Sequence, residues 1–237
     1  MNKYILGDIV TEKLKREIGM VAKPFPEELK TLETVLPSGE TRFEGALYQA
    51  DKLKKITISN HTHGEGGGTV VMIVANDDYD LPFILVDIAF GFGKKDTIFT
   101  EFEAMPLIKD EESTRKYVDP FRKWREAIGK LPAEPVSGFG EVGEFLKANV
   151  SPTEYIRFVP EAYTDEVLKF ADQFFDIFLD IYRRAEPVKN AQRKREMDTF
   201  RLEWNKHALD DDPSGVMIIE AFGRRRAELF YNYFVNL

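Results

Sequence analysis

Between residues 41 and 103 the chain carries five extended runs separated by segments too short to hold a helix. This spacing constrains the fold more than any other feature. Strands joined by only a few residues must lie antiparallel, because a parallel crossover takes a dozen or more residues. The runs cover residues 41–48, 53–60, 69–75, 82–90 and 97–103. The second alternates with period two, and the third is apolar and β-branched. Gly64-Glu65-Gly66-Gly67-Gly68, Asn76-Asp77-Asp78-Tyr79-Asp80 and Gly93-Lys94-Lys95-Asp96 supply turn formers between them. The pattern predicts an antiparallel meander of four or five strands and not a βαβ array.

Helical periodicity surrounds this stretch. Residues 4–19 place Leu6, Ile9, Val10, Leu14 and Ile18 on one stripe. Pro24 and Pro26 end it, and residues 26–40 read as irregular with a turn at Pro37-Ser38-Gly39. Residues 111–130 read as one or two helices around Asp119-Pro120, 132–143 as a loop, and 149–159 as an extended segment. The strongest helix is 164–184, with Val167, Phe170, Phe174, Phe178 and Ile181 on a wide apolar face. A highly charged helix follows over 188–208. Asp212 as N-cap and Pro213 in the first position then open a last helix to about residue 234. Helices flanking a central antiparallel sheet give an α+β fold, a three-layer α/β/α sandwich. A length of 237 residues suits a single domain over 1–237.

Composition removes several function classes. The chain has no cysteine, which excludes a disulfide framework, a Cys-ligated metal centre and thiol catalysis. With 33 Lys+Arg against 41 Asp+Glu the net charge is −8, so the basic footprint of a general nucleic-acid binder is missing. No apolar run approaches the ~20 residues needed to span a membrane. The first residues lack a signal-peptide layout, and a cytoplasmic location is expected. Aromatic residues make up 13%, which suits a flat ligand and a Phe-rich core alike.

Few residues point to chemistry. The glycine runs lie between strands and open no helix, so they do not form a phosphate cradle. His61 and His63 alternate beside glycines with no third ligand at a supporting spacing, and read as an exposed loop edge. His207 reads as a surface or helix-capping histidine. Asp87 stands out inside Phe83-Ile84-Leu85-Val86-Asp87-Ile88-Ala89-Phe90. A buried carboxylate is costly unless paired or protonated. Asp87 is therefore either a proton donor with a raised pKa or a carboxylate bonded to a loop or an arginine. In Asp210-Asp211-Asp212-Pro213, capping explains Asp212 but not Asp210 and Asp211, which leaves a bound cation, a shared proton or a solvated loop. Arg193-Lys194-Arg195 and Arg224-Arg225-Arg226 are either grips for a carboxylate ligand or acidic partner, or solvated helix faces.

Four segments carry a resemblance. Val71 to Ile88, with Tyr79-Asp80-Leu81-Pro82 and an aspartate five residues beyond the proline, is similar to the central segment of the ferredoxin-dependent bilin reductases. Glu101-Phe102-Glu103-Ala104-Met105-Pro106-Leu107 resembles that family's next strand, which ends in an acidic residue followed shortly by proline. Ser151-Pro152 to Arg157 resembles the entry to its penultimate helices. Asp211-Asp212-Pro213-Ser214, with Glu220-Ala221-Phe222-Gly223, resembles its C-terminal Asn/Asp-Asp-x-Thr segment. Together these cover roughly residues 45–110 and 149–237.

The resemblance implies an α/β/α sandwich that holds a biliverdin-type bilin between the sheet and the C-terminal helices. It implies reduced ferredoxin as electron donor, no cofactor or metal of the protein's own, radical intermediates and protons from carboxylates. It also implies a monomer. On this chain it assigns Asp87 as the central proton donor, Asp211 as a second donor or ligand holder and Arg157 as a propionate partner. Asp212, Thr57, Ser59, Val70 and Glu103 would line the substrate. The chain departs from the phycocyanobilin-forming branch at three places. Thr57 and Ser59 stand on the strand where that branch has a glutamate, Val70 stands for its histidine, and Pro213 for a basic residue. Those departures set reduction of the D-ring vinyl group apart from reduction elsewhere on the bilin. A non-catalytic tetrapyrrole binder and a reductase of a chlorophyll catabolite are the other readings. Lys52, Lys54, Lys55 and Arg224 to Arg226 are the candidates for docking ferredoxin, since a net charge of −8 gives no global steering.

Overall fold

The structure is a computed structural model that describes residues 2–36, 39–137 and 141–237. Helix α1 (Ile5–Ile18) opens the chain. Seven strands follow: β1 (Val21–Ala22), β2 (Thr31–Leu36), β3 (Gly39–Ala50), β4 (Leu53–His63), β5 (Gly66–Ala75), β6 (Phe83–Phe90) and β7 (Thr97–Met105). A helical stretch of changing pitch comes next, from α2 (Glu111–Ser113) through a π turn and a 3₁₀ turn to α3 (Arg122–Ile128). Then come β8 (Glu134–Pro135), α4 (Glu144–Asn149), β9 (Tyr155–Pro160), α5 (Thr164–Arg184) and α6 (Ala191–Asp211). Helices α7 (Pro213–Phe222) and α8 (Arg224–Phe230) close the fold, the latter running into a π turn over Tyr231–Val235.

The strands form one antiparallel sheet in the order β1-β3-β4-β5-β6-β7-β9-β8, with β2 pairing β3. The meander expected from the turn spacing is its centre. Successive strand residues point to opposite faces, and the two faces bury different helices. On one face Val71, Ile73, Val86 and Phe102 pack with Leu6, Val10 and Leu14 of α1 and Phe174, Phe175 and Phe178 of α5. Lys13 of α1 reaches Asp172 (2.5 Å) and Asp176 (2.7 Å) of α5, tying this layer together. On the other face Val74, Phe83 and Met105 pack with Trp204, Ile218, Phe230 and Phe234. The result is the α/β/α sandwich. Among the described residues no helix is long and apolar enough to cross a membrane.

Local expectations needed four corrections. Residues 26–40 contain strand β2, whose apolar alternation is incomplete: Leu32 is buried while Val35 is 77% exposed. Pairing with β3, Leu32 opposite Phe43, holds it in place of a buried face. The turn expected at Pro37-Ser38 lies outside the described residues. Gly66, Gly67 and Gly68 belong to β5 and not to a turn. A Cβ on Gly68 would lie 2.1 Å from the Ile88 carbonyl oxygen, so only glycine lets β5 run there against β6. Residues 132–143 are not wholly loop, because Glu134 and Pro135 pair with β9. Finally, the last helix breaks at Gly223, which has φ 81°, a conformation open to glycine and costly for other residues.

Candidate active site

Between the sheet and the C-terminal helices lies a cavity of about 480 Å³. Its floor follows from strand register. Ser59, Val70, Asp87, Glu101 and Ile156 stand side by side across β4, β5, β6, β7 and β9, all on the face toward α7 and α8. Thr57 and His61 extend the floor along β4. Asp212, Tyr231 and Phe234 close the cavity from the helical side, and Arg157 stands at its border.

Asp87 is the acid at the centre, with its side chain 15% exposed. His61 Nε2 lies 3.5 Å from its Oδ1, too far for a good hydrogen bond. Both ring nitrogens of His61 and Oδ1 of Asp87 are buried without a hydrogen-bond partner among the described residues. Gly68 and Ala89 are the residues facing His61 across the ladder, and their small size leaves the ring free to lean diagonally toward Asp87. Phe43 stacks on His61 with centroids 5.6 Å apart and planes 23° apart. Phe92 meets both His61 and His63 at 5.9 and 5.2 Å. His61 is therefore buried and His63 half-buried in one wall of the cavity, and neither forms an exposed edge. Burial pushes the His63 imidazole down to about 4, assisted by His61.

Two further carboxyl groups face Asp87. Glu101 stands directly opposite it on β7. Burial holds the Glu101 carboxyl well above the usual range, and the nearby charges of Asp87, Glu103 and Asp212 push the same way. Asp212 caps α7, accepting from Ser214 N (2.8 Å) and Ser214 Oγ (2.6 Å), and Tyr231 Oη donates to it at 3.3 Å. Burial raises its pKa against those hydrogen bonds. Burial and the Asp212 charge in turn hold the Tyr231 phenol well above its usual range.

The other candidate residues fall elsewhere. Asp211 does not line the cavity. Helix α6 continues through it, so it points along the helix surface to His207 Nδ1, 3.1 Å away, and Asp212 is the residue turned inward. Glu103 also lies outside the cavity. It accepts from Ser151 N at 3.0 Å, and burial pushes it up to about 7. Arg193 grips no ligand: it bonds Asp80, Asp110 and Ser113 and fastens α6 to the sheet side. The three consecutive aspartates do not converge on a cation, since Asp210 pairs with Arg224, Asp211 with His207 and Asp212 with Ser214 and Tyr231. Lys55 is buried and donates to the Asn236 carbonyl. Burial pushes its ammonium down to about 7, so it is not an exposed docking cation. Lys52 caps the end of α5 through the Tyr182 and Ala185 carbonyls, and Lys54 pairs with Asp77 at 2.6 Å. Arg226 remains exposed on α8. Among the described residues no group of three or more His, Asp or Glu side chains is placed to hold a metal ion.

A family model described as ferredoxin-dependent bilin reductase matches residues 8–235. The chain is 25% identical over 196 residues to 15,16-dihydrobiliverdin:ferredoxin oxidoreductase of Gloeobacter violaceus, which covers 79% of this chain and 75% of the relative. It is 23% identical over 227 residues to phycoerythrobilin:ferredoxin oxidoreductase of the same organism, with 94% and 89% covered. Tomato phytochromobilin synthase, solved in complex with biliverdin, has the same fold, with a TM-score of 0.77 at 14% identity over 95% of this chain and 79% of that one.

Proposed function

The chain belongs to the ferredoxin-dependent bilin reductase family, and from that premise we propose that it reduces a linear tetrapyrrole, biliverdin or 15,16-dihydrobiliverdin, with electrons from ferredoxin. The observation that carries this reading is the cavity with Asp87 on its floor. At about 480 Å³ it falls in the range of small-molecule sites, roughly 300–1,000 Å³. Its walls are mainly apolar and aromatic, with a few convergent polar groups, which suits a flat conjugated ligand. The names of the relatives support the choice of bilins.

Reduction of one carbon–carbon double bond takes two electrons and two protons. Ferredoxin delivers electrons singly, so the bilin passes through a radical, and the cavity has to keep water from it. Asp87 donates from the sheet side. Asp212 donates or holds the ligand from the helical side, replacing Asp211 in that role because it alone of the two lines the cavity. Arg157 pairs with a propionate at the border. Thr57, Ser59 and Val70 supply contact surface without acid chemistry. This agrees with reduction at a position other than the D-ring vinyl group.

The test is an anaerobic absorbance time course. Protein is mixed with biliverdin or with 15,16-dihydrobiliverdin, then with ferredoxin, its reductase and NADPH, and pigments are extracted at the end. A shifted bilin band that evolves through an intermediate to a new pigment supports the reading. A shifted band that never changes makes the protein a tetrapyrrole binder, and an unshifted band with either bilin removes the reading altogether.

A further inference from the structure

Two protons are needed for one double bond, while the Asp87 carboxyl carries only one at a time. The residue across from it resolves this. Asp87 and Glu101 are a directly facing pair in the antiparallel register of β6 and β7, and both side chains open into the same cavity. Facing residues of such a pair have Cβ atoms about 4.5–5.5 Å apart, which puts their carboxyl groups within reach of each other across the cavity floor.

The surroundings of Glu101 favour a carboxylic acid over a carboxylate. Two like charges held this close do not both ionise readily. From β6, Glu101 faces Asp87. From its own strand it feels Glu103, from the approach to β9 Glu154, and from the start of α7 Asp212. All four are acidic, and Tyr231 behind Asp212 is neutral. The cation of the cavity, Arg157, donates to the Ile156 carbonyl at 2.6 Å and lies over the Tyr155 ring, and it forms no ion pair with Glu101 among the described residues. Of the two histidines on β4, His61 faces Asp87, and burial disfavours the charged form of His63.

We propose that Glu101 is the proton store of this site, returning a proton to Asp87 after Asp87 has given one to the ligand. The proposal rests on the bilin-reduction reading above. In the first step the O–H bond of the Asp87 carboxyl breaks, a bond to hydrogen forms on the ligand, and Asp87 is left as carboxylate. In the second step the Glu101 O–H bond breaks and a new O–H bond forms on Asp87. The negative charge moves to Glu101, no electrons change hands, and Asp87 is ready for the second protonation. Asp87 gives this second proton to the ligand, and both carboxylates then regain a proton from solvent between turnovers.

The test has two parts. In ligand-free protein carrying ¹³C-carboxyl glutamate, the resonance missing from E101Q identifies Glu101, and its titration is followed in wild type and in D87N. Titration well above the ordinary glutamate range, moving back toward it in D87N, is the expected result. A titration in the ordinary range, or one unmoved by D87N, overturns the proposal. The second part is a single turnover with biliverdin. E101Q should show the wild-type binding band and a wild-type first step, followed by a second protonation roughly 100-fold slower, the loss expected of a missing acid group. E101D should restore most of the rate. An E101Q enzyme that completes both steps at the wild-type rate overturns the proposal. If wild type reduces neither bilin, the functional reading fails, and the titration still decides whether the two carboxyl groups share their proton.

Discussion

Nε2 of His61 lies 3.5 Å from Oδ1 of Asp87, and neither atom has a hydrogen-bond partner among the described residues. A buried polar atom left without a partner costs about 1–3 kcal/mol. Two such atoms facing one cavity form a site whose polar needs a ligand N–H or C=O would meet.

Replacing His61 with phenylalanine follows from this. The ring would keep its stacking on Phe43 while losing both unpaired nitrogens. H61F should therefore unfold at a higher temperature than wild type. Its affinity for biliverdin should fall roughly tenfold, the equivalent of one hydrogen bond of about 1.4 kcal/mol. An absorbance titration measures the second effect, and an unchanged Kd would mean that His61 does not touch the ligand.

Gly68 should tolerate no side chain. Even the Cβ of alanine would meet the Ile88 carbonyl oxygen and the Ala89 backbone. G68A should lose about 1–3 kcal/mol of stability, as overpacked positions do. Denaturant unfolding reads this directly, and wild-type stability would show that β5 and β6 separate there without cost.

Asp211 and Asp212 are adjacent in sequence but opposite in consequence. D212N should slow bilin reduction by at least tenfold and, through weakening of the α7 cap, lower stability by about 1 kcal/mol. D211N should reduce bilin at the wild-type rate and disturb only the contact with His207. Steady-state turnover of the two variants separates them, and the reverse order of effects would put Asp211 at the ligand.

Glu103 gives the fold a pH dependence. Burial raises its pKa from 4.5 to about 7, so the folded chain holds this proton more tightly than the unfolded chain does. The associated stability is fully present below pH 4.5 and is lost as pH rises through 7. E103Q keeps the oxygen that accepts from Ser151 but cannot ionise. The stability of wild type relative to E103Q should fall by on the order of 2 kcal/mol between pH 4.5 and 8. Parallel stability curves for the two proteins would place the ionised Glu103 in a better-solvated environment.

The features read correctly from sequence are those decided by neighbours in the chain. Short turns dictated the antiparallel meander, and the apolar face of residues 164–184 dictated α5. Asp87 was visible because a charge in an otherwise apolar strand has no local explanation. His61 and His63 were misread because the rings that cover them, Phe43 and Phe92, lie on other elements. Glu101 escaped notice because alternating polar residues in a strand also describe a solvated face. Only its register against Asp87 and the lid formed by α7 and α8 turn that face into a cavity. The choice between Asp211 and Asp212 depended on where α6 ends, and one residue of helix decides which carboxylate points inward.

The central claim is that this cavity reduces a bilin with Asp87 as proton donor. Wild type and D87N, compared in the same anaerobic time course with biliverdin and reduced ferredoxin, test it most directly. The account predicts an equally shifted binding band in both proteins. Wild type should then proceed to a new pigment, and D87N should halt at a reduced radical with final product formed at least 100-fold more slowly. Full turnover by D87N at the wild-type rate would contradict it.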